Sequence, residues 1–381
     1  MPPARRHDLD WLRVIAFGVL IFFHSAVAFL PNGLPTTMND TPSAGLSMFV
    51  AFSHQFRLGL LFLVSGMGVC FALRGRPARA YLRDRAKRLL IPLAFGILVI
   101  VPPMTWLEFR YNGLFEGSYL NFWIGLFSHG TYPEGRLSWH HYWFIAYLFL
   151  ICLVTLPLFM RWRGTDSVVL WGAWAAQGVR LYTLILPLLV VEFTLRPFFP
   201  GFRDLISDWA SFSHWLFLFV AGYGLAGAPA ALDRARVLRW WSLGIACVSS
   251  SFLFAIFWDP IGLHLGPNAD WTWEGAGRFF VWSVVRIIAI WCWLLACVGF
   301  AGQHLNWPSD LLTKLNRAVY PVFCLHLTVI VWLSTLILPM DWSISAKFLA
   351  ISFGTCGVLW LLYMTVVIRL GRFGILVGAK P

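Results

Sequence analysis

The sequence predicts an all-α integral membrane protein, a bundle of about ten transmembrane helices with both termini cytoplasmic. Three observations carry that expectation. Hydrophobic residues make up 59% of the 381 and charged residues only 12%, against about a quarter charged in soluble domains. Apolar runs of about 20 residues, the length at which a helix crosses a bilayer core, recur along the whole chain. The basic residues are also unevenly placed. With ten spans and the N-terminus inside, the inner loops and tails hold 19 Lys and Arg, seven of them within 74–88. The outer loops and their edges hold five: Arg110, Arg136, Arg196, Arg203 and Arg278. That is the bias that orients membrane helices. It accounts for the net charge of +12 without a nucleic-acid partner; the partner implied is the bilayer.

The spans follow in order. Span 1 covers about 11–30, and no small-residue cleavage site follows Arg5-Arg6, so it is expected to be retained rather than removed as a signal peptide. Span 2 is expected at 53–73, followed by the basic cytoplasmic loop 74–88. Span 3 covers 89–107 and is expected to stop at Pro102-Pro103, since proline breaks the helical hydrogen-bond ladder. A long periplasmic loop, 108–139, leads to span 4 at 140–160. The apolar, glycine-interrupted stretch 164–180 reads as interfacial or partly re-entrant. Spans 5 to 10 are expected at 181–198, 208–227, 241–258, 279–301, 319–338 and 345–368. With no internal repeat, 1–381 reads as one transmembrane domain. All seven cysteines fall inside apolar runs, which argues against a disulfide framework or a metal site.

Two residues of span 1 do not belong in hydrocarbon: Arg13 and His24. Eleven residues apart, they return to within about 20° of one helix face and roughly 16 Å along the axis. Ionisable residues inside a span are functional candidates because lipid exposure costs several kcal/mol unless they are paired or hydrated. A cation at one surface and an imidazole deeper on the same stripe suit an elongated ligand, anionic at one end and reactive at the other. The 74–88 basics, Arg83, Arg85, Lys87 and Arg88 among them, add guanidiniums that bind phosphate bidentately. An acyl-coenzyme A fits this layout, as a donor substrate rather than a tightly bound cofactor. His24 would act either as general base toward a hydroxyl or as transient acyl carrier. His326, Arg57, Glu192 and Arg286 are further polar residues within spans, with Glu108 and His141 at the outer edge.

The Arg13-x10-His24 pair resembles the signature of the acyltransferase 3 family. The surrounding Asp10–Phe17, Arg57–Gly66, Lys87–Pro92, His141-Tyr142-Trp143-Phe144 and Tyr320–His326 segments are similar to that family in order and spacing. Within it, RRHDLDWLRVIAF, RLLIPLAFGILVIVPP and VEFTLRPFFPG look like the glucan-biosynthesis C type. The resemblance implies a bundle of about ten helices in the bacterial inner membrane. It also implies transfer of a succinyl group from cytoplasmic succinyl-coenzyme A to hydroxyls of periplasmic glucans. Carried over, His24 is the catalytic histidine, Arg13 its partner, and His326 and Arg57 match further positions. Arg13, Arg57, Arg83, Arg85, Lys87 and Arg88 would hold the donor; Glu108, His141, Trp143 and Glu192 would face the acceptor. Trp106, Trp123, Trp139, Trp271 and Trp273 are candidates for stacking on sugar rings, and an interfacial aromatic belt explains them as well. Tyr142 departs from the usual Leu. Two rival functions are an O-acetyltransferase of another surface polysaccharide or lipopolysaccharide, using acetyl-coenzyme A, and a membrane transporter. The second predicts an internal repeat and broken helices.

Overall fold

The computed structural model describes residues 6–31, 38–132, 135–163, 165–199, 204–257 and 273–379. These are helical almost throughout, and the described residues contain no strand beyond one isolated bridge between Thr131 and Leu137. The chain is an all-α integral membrane protein. In order, the helices are α1 (His7–Val27), α2 (Ala44–Ala72), α3 (Ala78–Phe95), α4 (Pro102–Tyr111) and α5 (Tyr119–Ile124). There follow α6 (Trp143–Trp162), α7 (Ser167–Ala175), α8 (Ile185–Thr194), α9 (Trp209–Gly227) and α10 (Pro229–Phe257). The last three are α11 (Trp273–His304), α12 (Asp310–Ile337) and α13 (Ile344–Thr365). Among the described residues eight helical segments are long and apolar enough to cross a membrane, and nine if the bent pair α7–α8 counts as one span. The 19-residue α9 is not one of them, so the expected ten is reached only by including both. Its place in the bundle comes from packing against α2.

Four helices begin at serines whose hydroxyls accept from the backbone N–H three residues on: Ser43, Ser118, Ser309 and Ser343. Such caps satisfy donors that the helix itself leaves bare.

Two expectations are corrected here. The segment 74–88 is not a loop: α3 begins at Ala78, after the turn that holds Pro77, and carries most of the basic run on its first turns. Pro102-Pro103 does not end span 3 either. A π-helical turn over Gly96–Ile100 comes first, and Pro102 then opens α4, so one segment runs from Ala78 to Tyr111. Proline at a first helical turn forfeits only an N–H that has no partner there, so it starts α4 as readily as it would stop α3. The ambiguous stretch 164–180 becomes α7 and a sharp bend of 115° into the segment 180–194.

Long-range contacts gather the helix ends into two layers. At one, His7 N–H donates to Asn306 Oδ1, Arg163 binds the carbonyls of Leu73 and Arg76, and Arg234 Nε donates to Gly178 O. This is the basic end. At the opposite end Lys347 reaches Asn39 and the Leu338 carbonyl. Between them α2 and α9 touch through glycines: a Cβ on Gly66 would meet the Phe219 carbonyl, and one on Gly222 the Leu63 carbonyl.

Candidate active site

Both Arg13 and His24 face α12, as their shared stripe on α1 requires. Arg13 Nη1 donates to Asn316 Oδ1 at 3.3 Å, and Asn316 Nδ2 donates to Asp10 Oδ1 at 2.9 Å. Ten residues further along α12, His326 Nε2 lies 3.0 Å from His24 Nδ1. One pair of helices running in the same direction thus carries both polar layers.

Hydrogen-bond chemistry assigns the protons in the deeper layer. His326 Nδ1 sits 2.7 Å from the Phe323 carbonyl, which can only accept, so Nδ1 is protonated. A neutral His326 then accepts at Nε2, and the donor is His24 Nδ1–H. The lone pair of a neutral His24 is therefore on Nε2. His326 is fully buried, while His24 is only half-buried. The inner ring fixes the orientation and tautomer of the outer one, as the carboxylate does behind the histidine of a Ser-His-Asp triad.

His141 completes the layer. Its ring is 4.9 Å from that of His326, centroid to centroid, and its Nε2 donates to the Cys324 carbonyl at 3.2 Å. Tyr142 O–H donates to the same carbonyl at 2.8 Å. The turn that presents them begins at His140, which holds a left-handed φ of 36°. Non-glycine residues pay of order 1–3 kcal/mol for such a conformation. The Tyr142 ring lies where a Cβ of residue 96 would be, so the glycine in the π-turn makes room for it. Gly96→Ala is therefore expected to push Tyr142 off Cys324 and to lower stability by about 1–3 kcal/mol, the usual cost of overpacking. A melting curve matching wild type would disprove that account.

Arg57 approaches from α2. It is 2% exposed, and its guanidinium stacks 3.7 Å above the Phe23 ring, itself edge-on to His24. Arg57 also lines an apolar cavity of about 350 Å³ between α1, α2 and α11, whose walls include Leu12, Ala16, Val19, Phe56 and Phe300. The cavity follows α1 from the turn of Arg13 toward that of His24.

The basic layer is narrower than the sequence implied. Arg85 and Arg88 lie within electrostatic reach of Arg13, and Tyr320 O–H donates to the Arg88 carbonyl at 2.9 Å. Arg83 and Lys87 are exposed on another face of α3. The helix explains the split: positions 85 and 88 lie about 60° apart, and 83 and 87 about 40° apart on the other side.

The residues expected to face an acceptor are dispersed. Glu108 accepts from Tyr132 O–H at 2.7 Å, and the Tyr132 ring lies 5.0 Å from that of His140, whose Nε2 meets Thr105 Oγ1 at 3.2 Å. Burial and the Glu108 carboxylate raise the Tyr132 phenol above its ordinary range, so it stays a donor. The contacts from Glu108 thus end at His140, next in the chain to the His141 that packs on His326. Trp143 is 4% exposed and packs edge-on to Tyr147, so its ring belongs to the core. Glu192 is in a separate cluster with Arg196 and Arg286. Of the expected stacking residues, Trp123 is exposed, with its indole N–H on Leu98 O. Trp271 and the side chain of Trp273 lie outside the described residues. Sequence reasoning passed over His140 and His214, although a histidine within an apolar run, the signal that marked His24, was present at both.

The family model of the acyltransferase domain, type 3, matches residues 6–364. The chain belongs to the acyltransferase 3 family. It is a membrane acyltransferase. Over its whole length it is similar to the glucans biosynthesis protein C of Salmonella paratyphi B, 23% identical with 96% of that protein covered. The protein of the same name from Salmonella paratyphi A is 22% identical over the same shares. No solved structure matches.

Proposed function

We propose that this acyltransferase moves a succinyl group from cytoplasmic succinyl-coenzyme A to a hydroxyl of a periplasmic glucan, across the bacterial inner membrane. The observation that carries the reading is the His24–His326 relay, with Arg13 on the same face of α1 and an apolar cavity lining that helix from Leu12 to Val19 on the adjoining face. In this reading the basic end is cytoplasmic. Arg13, Arg85 and Arg88 hold the nucleotide phosphates, with the exposed Arg83 and Lys87 contributing at longer range. The pantetheine arm lies in the apolar cavity and brings the thioester to His24.

The acceptor hydroxyl reaches His24 past Glu108 and His141. His24 Nε2 takes the hydroxyl proton as the oxygen attacks the thioester carbonyl. The carbon–sulfur bond then breaks, and the proton passes to the departing thiolate. The names of the relatives support a glucan acceptor. A succinyl donor carries a terminal carboxylate, which when buried requires a cationic partner. Arg57 supplies one.

The test is transfer by purified protein from labelled succinyl- and acetyl-coenzyme A to a periplasmic glucan. Succinyl transfer is expected to exceed acetyl transfer. Arg57→Ala is expected to lower the succinyl rate about 10- to 100-fold more than the acetyl rate, as the loss of a buried polar contact does. Equal loss for both donors would remove Arg57 from donor selection. Transfer from acetyl-coenzyme A alone would make the enzyme an O-acetyltransferase.

A further inference from the structure

We propose that the buried cluster of Glu192, Arg196, His214 and Arg286 is a second ligand site, taking a phosphate group that still carries a proton. It is built by α8, the turn after it, α9 and α11, none of which supplies a residue to the histidine relay. Glu192 is fully buried and His214 is 2% exposed. Both guanidiniums converge on one carboxylate oxygen: Arg286 Nη2 lies 2.7 Å and Arg196 Nε 3.4 Å from Glu192 Oε1. That leaves the second oxygen over. Glu192 Oε2, Arg286 Nε and both ring nitrogens of His214 have no hydrogen-bond partner among the described residues. His214 is in electrostatic contact with all three charged groups, so these orphaned atoms belong to one place.

Such atoms indicate what would satisfy them. Two arginines, one carboxylate and a neutral imidazole sum to +1 in a buried setting, which favours an anion. Arg286 Nε–H and an imidazole N–H are donors that want anionic oxygens. Glu192 Oε2 can only accept, and so requires an O–H from the ligand. Hydrogen phosphate, or a phosphate monoester in its singly protonated form, offers both in one tetrahedral group; sulfate has the charge and shape but no proton. The arginines also form the way in, since their side chains are 21% and 20% exposed above the buried acid. They are held there: Arg196 Nη1 donates to Ser211 Oγ at 3.1 Å, and Arg286 lies 4.5 Å above the Trp282 ring.

The test is calorimetric titration of the full-length protein in detergent with inorganic phosphate, glycerol 3-phosphate and sulfate. Phosphate is expected to bind at least about tenfold more tightly than sulfate, because sulfate leaves the carboxylate oxygen unpaired. Tighter binding of glycerol 3-phosphate than of phosphate would assign the site to a monoester on a larger molecule, and the reverse to the free ion. Glu192→Gln, whose amide N–H can donate, is expected to erase or invert the preference. Equal affinity of wild type for phosphate and sulfate, or no binding of either phosphate compound, overturns the proposal without reference to any variant. Neither result depends on acyl transfer, so this site and the proposed activity stand or fall separately.

Discussion

His24→Ala is expected to lower acyl transfer about 10²- to 10⁴-fold, the range over which a positioned general base acts, with the protein still folded. His24 is half-buried at the end of its stripe, so the truncation removes a proton acceptor without opening the core. His326→Ala is expected to cost less, about 10- to 100-fold, as the loss of a residue that orients a functional histidine does. It leaves His24 able to accept a proton but free to turn and to change tautomer. His326→Gln keeps an acceptor for His24 Nδ1–H and is expected to recover part of the rate. A purely structural role for His326 would show instead as equal melting losses in both variants, with no difference in kcat. Full activity in His24→Ala would end the mechanism altogether.

The sequence showed the line from Arg13 to His24 because both lie on one helix, where spacing alone fixes the face. It could also show that His326 was out of place in an apolar run. That the two imidazoles meet is a contact across 302 positions, and no local periodicity encodes it. The same limit applies to Glu192. Its burial was legible, but its partners are Arg196 on the next turn and Arg286 nearly a hundred residues away. Of the basic run at 74–88, the charge was legible and the phase was not. Whether Arg85 or Arg83 faces Arg13 depends on how α3 is rotated about its axis, and the buried face of Tyr81, Leu89 and Pro92, which Arg85 and Arg88 share, decides that. The role of Gly96 was invisible for another reason: the residue that needs its missing Cβ, Tyr142, belongs to a different helix end.

Gly66→Ala and Gly222→Ala are each expected to unfold or grossly destabilise the protein, although both changes favour an isolated helix. In each case the added methyl runs into a backbone carbonyl of the facing helix, Phe219 for one and Leu63 for the other. Flexible side chains can move aside; a carbonyl within a helix cannot move without the helix. The α2–α9 seam would have to separate, and the stacked pair Phe62–Trp215, 5.3 Å apart, would part with it. Apolar burial does not drive helices together in lipid as it does in water, so close backbone approach through small residues is what holds them. Overpacking a core typically costs about 1–3 kcal/mol, and a rigid obstacle belongs at or beyond the upper end. Since α2 also carries Arg57, widening the seam would disturb the cavity beside His24. The two substitutions should be less than additive, because once the helices part the second methyl meets no new obstacle. Gly244→Ala on α10, where a Cβ meets nothing within 4 Å, is the control; it is expected to be neutral or to stabilise by up to about 1 kcal/mol through helix propensity. Thermal melting in detergent separates these outcomes, and a Gly66→Ala protein that melts with wild type would mean the seam is not close-packed through its glycines.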